Sequence, residues 1–222
     1  MARESTGASR ALYPFSLLRW VILVTAGSFL GLLPPIAAYV AATRIDLPAW
    51  AVYPTVAMAG GVQGLLMGLG QALALYWTRV AVPRAGWTLI TMAGALVAWA
   101  LGLLPATMRA LDEPLDLDSR PVLWAAVGGA VLLVLVVPLA HWLVLRRVMP
   151  GAGMWVVVES VAIVVALAAV WAFGESVDPT RPLDDLLPQL ALAGGAVALA
   201  FTLLTGLGML MLAPRGVRAT AP

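Results

Sequence analysis

Six runs of this chain carry at most one charge over more than the roughly 20 residues that a helix needs to cross a ~30 Å hydrocarbon core at ~1.5 Å per residue. They are Trp20–Thr43, Leu47–Thr78, Ala85–Met108, Pro121–Leu145, Val148–Gly174 and Leu186–Pro214. In lipid, every backbone N–H and C=O must be paired within its own segment, so runs of this length are helices. The alternating ten-residue segments of a membrane barrel are absent from the sequence. Composition agrees. Of 222 residues, 62% are hydrophobic and 11% are charged, against about 25% charged in an ordinary soluble domain. The expectation is an all-α polytopic membrane protein: a short segment 1–19, a six-helix transmembrane domain 20–214 and a tail 215–222.

The charges also predict an orientation, because arginines collect on the cytoplasmic side of a membrane protein. The N-terminus, the second and fourth connections and the C-terminus hold Arg3, Arg10, Arg19, Arg79, Arg84, Arg146, Arg147, Arg215 and Arg218, with Glu4 as their one acid. The other three connections hold Arg44, Arg109, Arg120 and Arg181 among Asp46, Asp112, Glu113, Asp116, Asp118, Glu175, Asp178, Asp184 and Asp185. Both termini are therefore expected inside the cell, in the cytoplasmic membrane. Trp20, Trp77, Trp87, Trp142 and Trp155 fall toward the basic ends of the spans, and Trp50, Trp99, Trp124 and Trp171 toward the acidic ends. That distribution suggests two interfacial belts. The first run is longer than the about 7–15 apolar residues of a signal peptide, so it reads as a span, with cleavage after Val40-Ala41-Ala42 as the alternative.

Several chemistries are excluded. With no cysteine there is no disulfide, no thiol nucleophile and no Cys-ligated zinc or iron–sulfur cluster. With one histidine, a multi-His metal site within one chain is impossible. No cofactor motif occurs. The net charge of +2 is spread over single or paired arginines, which gives no surface for nucleic acid. The absence of lysine, beside abundant Ala, Gly, Val and Pro, suggests a GC-rich bacterial genome.

A hairpin pattern recurs. Gly60-Gly61, Gly128-Gly129 and Gly194-Gly195 are spaced by 68 and 66 residues. Arg and Pro follow each pair after a further span: Arg79 and Pro83, Arg146 and Pro150, Pro214 and Arg215. The first two then lead through Ala85-Gly86 or Ala152-Gly153 into Trp87 or Trp155 and a returning helix. The first span resembles the third, with Trp20, Gly27 and Gly31-Leu32-Leu33-Pro34 beside Trp87, Gly94 and Gly102-Leu103-Leu104-Pro105. Three hairpins are expected, one split between the two ends of the chain; the alternative is chance recurrence in a Gly- and Ala-rich sequence. The segment His141-Trp142-Leu143-Val144-Leu145-Arg146-Arg147, then Pro150-Gly151-Ala152-Gly153-Met154-Trp155, resembles repeats of uncharacterised multi-pass bacterial membrane proteins. Those repeats read Gln-Trp-x-x-Leu-Arg-Arg, Pro-Gly-Ala-Gly and Trp-Trp, so His141 stands in place of Gln and Met154 in place of the first Trp. The resemblance implies a fold and no activity.

Few side chains carry candidate chemistry. Glu159 is the one acid inside a predicted span. A charge at mid-membrane costs roughly 2.5–3.5 kcal/mol on insertion scales, so such residues are paired or functional. Glu159 lies six residues past Gly153 and His141 five residues before Arg146, at about the same depth on neighbouring helices. They are placed to meet, as a proton-accepting Glu159 tuned by His141. The structural alternative is a fixed pair, or Glu159 reaching Arg146 or Arg147. In the repeat alignment Thr91 stands opposite Glu159. Gly60, Gly64 and Gly68 line one face of the second span, with Gln71 on nearly the same stripe. Such a face admits a close neighbour, within the chain or in a homodimer. Pro34-Pro35, Pro54 and Pro138 lie within spans as kinks or as edges of a site. The acidic loops lack the ligand spacing of an EF-hand.

These residues suggest a small transport or transport-accessory protein with a polar site at Gln71, His141 and Glu159. In size it resembles the substrate-binding subunits of energy-coupling-factor vitamin transporters. The alternative is a non-catalytic structural or regulatory membrane subunit that contacts a copy of itself, or another membrane protein, through Gly60, Gly64 and Gly68. An intramembrane enzyme ranks last. Its one conceivable set is Ser160 with Glu159 and His141, and adjacent helical residues point about 100° apart. No catalytic, cofactor or metal residue is assigned; the expected surroundings are the lipid bilayer.

Overall fold

A computed structural model describes residues 15–76, 78, 80, 82–174 and 181–212. It holds six helices: α1 Leu17–Arg44, α2 Ala49–Leu75, α3 Arg84–Ala110, α4 Arg120–Leu145, α5 Gly153–Gly174 and α6 Leu183–Leu212. All six are long and apolar enough to cross a membrane, and the described residues contain no strand pair that builds a sheet. Residues 1–14 of the N-terminal segment and the tail 215–222 lie outside the described residues, as do Trp77, Arg79, Glu175 and Asp178.

Local chemistry sets the helix ends. Ser16 caps α1 by accepting from the Arg19 N–H. At their far ends α1 and α3 stop alike. Asp46 and Asp112 adopt left-handed backbone (φ 51° and 58°), and the next N–H reaches back to a carbonyl, Leu47 to Ala42 and Glu113 to Met108. This six-to-one closure usually employs glycine; aspartate is among the few residues that tolerate it. The turn into α5 uses Gly151 at φ 73°. The helices run on through Pro34-Pro35, Pro54 and Pro138. The fifth helix begins at Gly153, five residues later than the apolar run at Val148, because Val148-Met149-Pro150 belongs to the turn.

The helices close a ring. Among the described residues, each packs on its two neighbours in the cycle α1-α2-α3-α4-α5-α6-α1 and on no other helix backbone. One end of the ring carries the basic turns between α2 and α3 and between α4 and α5. The other, the acidic end, carries the loops after α1 and α3 and the start of α6. The first and last helices close the ring through packing of Gly206 on Leu17 and Trp20, and Gly194 near Phe29 and Leu32. At the acidic end Arg44 donates to the Arg181 carbonyl over 2.7 Å.

The ring is uneven. Between α1 and α2, Gly27 lies on the Leu66 carbonyl and Gly70 on that of Leu23; a Cβ at either position would come within 2.6 Å of that oxygen. Between α2 and α3, Gly60 receives Trp99, Gly64 receives Ala95 and the Thr91 backbone, and Gly68 receives Thr88 and Thr91. This is the close approach that small residues permit, and α3 of the same chain fills the face formed by Gly60, Gly64 and Gly68. The equivalent pair on α4 differs: a Cβ on Gly128 or Gly129 would meet nothing within 4 Å.

The basic end has a tryptophan core. Trp20, Trp87 and Trp155 are all 0% exposed, one on each odd-numbered helix. The two-belt expectation is corrected here. Trp50, Trp124 and Trp171 at the acidic end are exposed as a belt requires, but Trp20, Trp87 and Trp155 fill the ring instead. Trp20 and Trp155 meet edge to face, centroids 6.1 Å apart, although α1 and α5 are not neighbours in the ring. Below them, toward the basic turns, Leu75, Leu145, Met149, Val80, Ala152 and Met209 form an apolar floor.

Gly64→Ala should lower the thermal unfolding midpoint in detergent, because its Cβ would lie 2.6 Å from the Thr91 carbonyl and overpacking costs about 1–3 kcal/mol. Gly128→Ala should leave the midpoint unchanged or raise it. Equal effects of the two substitutions would contradict this packing.

Candidate functional site

The polar groups of the interior collect around the tryptophans. On each even-numbered helix, one polar residue lies one turn before the apolar floor: Gln71 before Leu75, His141 before Leu145 and Thr205 before Met209, all buried. On each odd-numbered helix, the residue four beyond the tryptophan is also fully buried: Val24, Thr91 and Glu159. Spacing of four keeps each set on one helix face.

Two of the three indoles satisfy their N–H across the helix pair. Trp87 Nε1 donates to Gln71 Oε1 at 2.9 Å, and Trp20 Nε1 donates to Thr205 Oγ1 at 3.2 Å. The Trp155 N–H has no partner. The residue in the matching place on α4 is His141, whose two nitrogens are engaged elsewhere. Its ring stacks on Trp87, with centroids 4.0 Å apart and planes 7° from parallel, and lies 6.5 Å from Trp155.

Both His141 nitrogens are bonded. Nδ1 lies 2.8 Å from Glu159 Oε1 and 2.9 Å from Oε2; Nε2 lies 2.7 Å from Thr91 Oγ1. All three residues are fully buried. Thr91 has one hydroxyl hydrogen and gives it to the Trp87 carbonyl at 2.7 Å, so toward His141 it accepts, and Nε2 carries a proton. One proton then remains for the contact between Nδ1 and the carboxyl. It belongs either to the imidazolium, facing a carboxylate, or to the carboxylic acid, facing a neutral imidazole. Both arrangements are neutral overall. Loss of that proton leaves a full negative charge among apolar helices, a costly state.

The structure thus brings together His141 and Glu159 and adds Thr91, Trp87 and Trp155. Gln71 makes no hydrogen bond to His141. It bonds Trp87, which stacks on His141, and its Nε2 has no partner. Glu159 bonds neither Arg146 nor Arg147; Arg146 lies over the Trp142 ring instead. Ser160 Oγ has no partner and bonds neither Glu159 nor His141. Among the described residues no group of three His, Asp or Glu could hold a metal. The residues that sequence reasoning passed over as site members are Thr91, Trp87, Trp155, Trp20 and Thr205. Their signal was present in the Trp-x-x-x spacing that sets Thr91 opposite Glu159.

No protein-family model, curated protein or solved structure matches the chain.

Removal of one member of a buried pair strands the other, at a typical cost of about 3–5 kcal/mol. Glu159→Leu should therefore destabilise far more than Glu159→Gln, whose amide N–H can still donate to Nδ1 of the neutral imidazole. Gln71→Leu should cost about 1–3 kcal/mol by orphaning the Trp87 N–H. Denaturation of the three variants in one detergent would test this ranking, and equal losses for Leu and Gln at position 159 would refute it.

Proposed function

We propose that the chain is a multi-pass protein of the cytoplasmic membrane, both termini inside, acting as a small transport or transport-accessory protein whose His141–Glu159 pair takes up and releases a proton. The observation that carries this is the fully buried contact of the pair. Nδ1 lies 2.8 Å from the carboxyl with both side chains 0% exposed, and Thr91 holds the other side of the ring in place. A fixed structural contact between these helices needs no ionisable partners. Among the described residues, Glu159 and His141 are the only buried side chains of Asp, Glu, His or Arg. A proton leaving the pair changes the charge of the bundle core by one unit. That change can bias helix positions and so couple proton movement to a cargo. The nine basic residues on the N- and C-terminal side, against nine acids on the other, support the orientation.

The test is infrared difference spectroscopy of the purified protein in lipid, with pH changed over about 5 to 8, where histidine ordinarily switches charge. A carboxyl C=O band that responds to pH and disappears in Glu159→Gln is expected, together with a proton flux in vesicles that this substitution abolishes. A spectrum without a pH-dependent carboxyl band would end the proposal.

An alternative role, a non-catalytic structural or regulatory subunit, is favoured by one observation: Gly128 is exposed, and a Cβ at Gly128 or Gly129 would meet nothing within 4 Å. A contact with another protein would then lie on α4, since the Gly60, Gly64 and Gly68 face is occupied by α3. Gly128→Cys should cross-link to a partner or a second copy in native membranes if this role holds, and remain monomeric if it does not.

A further inference from the structure

Hydroxyls in these helices behave in two ways, and the buried ones include both. Thr43, Thr55, Thr91, Thr107 and Thr205 donate to the carbonyl four residues earlier, the ordinary way for a helical hydroxyl to satisfy itself. Thr25 and Ser28 of α1, Ser160 of α5 and Thr202 of α6 do not; each has a buried oxygen with no partner. Native interiors leave few such groups unpaired, and ordered water is the usual partner where protein supplies none.

Their placement is one-sided. On α1, Ser28 lies two turns beyond Trp20 on the stripe Trp20-Val24-Ser28, about 12 Å toward the acidic end at ~1.5 Å per residue. On α6, Thr202 lies one turn to the acidic side of Thr205, the partner of Trp20. Ser160 adjoins Glu159. Among the neutral side chains described, none with an unpartnered buried atom lies on the basic side of the tryptophans. That side holds the apolar floor of Leu75, Leu145, Met149, Val80 and Met209.

Packing has the same polarity on three of the helices, whereas α1, α2 and α6 keep buried residues toward the acidic end as well, among them Ala42, Val56 and Leu186. Residues 96–110 of α3, 120–136 of α4 and 163–173 of α5, which form the acidic halves of these helices, include no buried residue. At the basic end every helix contributes a fully buried large side chain: Trp20, Leu75, Trp87, Leu145, Trp155 and Met209. The groups packed on the pair, Thr91 and Trp87 from α3 and Trp155 from α5, are uncharged.

We infer that the His141–Glu159 pair exchanges its proton with water from the acidic end of the ring alone, through hydrated hydroxyls that include Ser28 and Thr202, while the tryptophan layer closes the basic end. The inference rests on the pair being a proton site, as proposed above. It adds a direction: in this conformation the site faces the side of the acidic loops. The only transferred species is a proton passed between water, carboxyl and imidazole, with no co-reactant.

The test uses vesicles with the protein inserted in one orientation, which protease cleavage of a C-terminal tag establishes. The Glu159 infrared band is followed after a pH jump on one side. A jump on the side of the acidic loops should move the band promptly, and a jump on the other side only after a protonophore is added. Ser28→Ala with Thr202→Val, which removes both hydroxyls and keeps their bulk, should slow the response about tenfold and leave its end point unchanged. Prompt responses to jumps on both sides, or a double variant as fast as the parent, would overturn the inference and leave the proton site standing. A band that fails to respond even with protonophore would remove the proton site itself.

Discussion

A carboxyl group among apolar helices has to keep company with a proton or a positive charge, and Glu159 finds both in one ring. The bond to His141 determines much of what surrounds it. To present Nδ1 to Glu159, the imidazole must lie flat on Trp87. To keep Nε2 protonated, it needs the Thr91 oxygen. To hold Trp87 flat, Gln71 must take its N–H. Four helices are thus tied through one run of contacts, and the bond lies beside a layer of buried indoles. Low dielectric strengthens each of these contacts and raises the cost of leaving any one unmade.

The ring departs from threefold regularity where chemistry concentrates. Where α2 has Gln71 facing Trp87, and α6 has Thr205 facing Trp20, α4 has a histidine that turns away from Trp155 toward Glu159. The third indole is left without a hydrogen bond as a result. Backbone packing breaks the symmetry too. Glycines hold α1, α2 and α3 in direct backbone contact, whereas α4 and α5 touch mainly through the layer at the basic end. The stiff side of the ring holds Thr91 and Trp87; the looser side supplies His141 and Glu159.

The six helices were legible, and all their limits but the start of α5 to within three residues, because lipid imposes one rule on all of them, length and apolarity together. The meeting of His141 and Glu159 was legible for a local reason: both lie at nearly equal distance from one short turn, and a hairpin brings such positions side by side. Thr91 was visible as the counterpart of Glu159 but not as a bond to His141. That contact joins α3 to α4, whose connection lies at the opposite end of the ring. The tryptophans were read as interfacial from their depth alone. Which face an indole occupies is invisible when a helix is apolar all round, as α5 is. Gly60 and Gly128 occupy the same place in the sequence pattern and have different neighbours, since spacing records what can approach and not what does.

Closure of the ring by its first and last helices has a consequence for how the molecule is made. Trp20 enters the membrane early in synthesis, but the Thr205 oxygen that receives its N–H is on the last helix. The core at the basic end therefore cannot be completed while the chain is still emerging, and five helices must wait, with one seam open, for the sixth. The same geometry makes the order of helices dispensable to the finished object. With the start of α1 packed beside the end of α6, a circular permutant joined there and opened at an acidic loop would carry every contact of the original in a different order of synthesis.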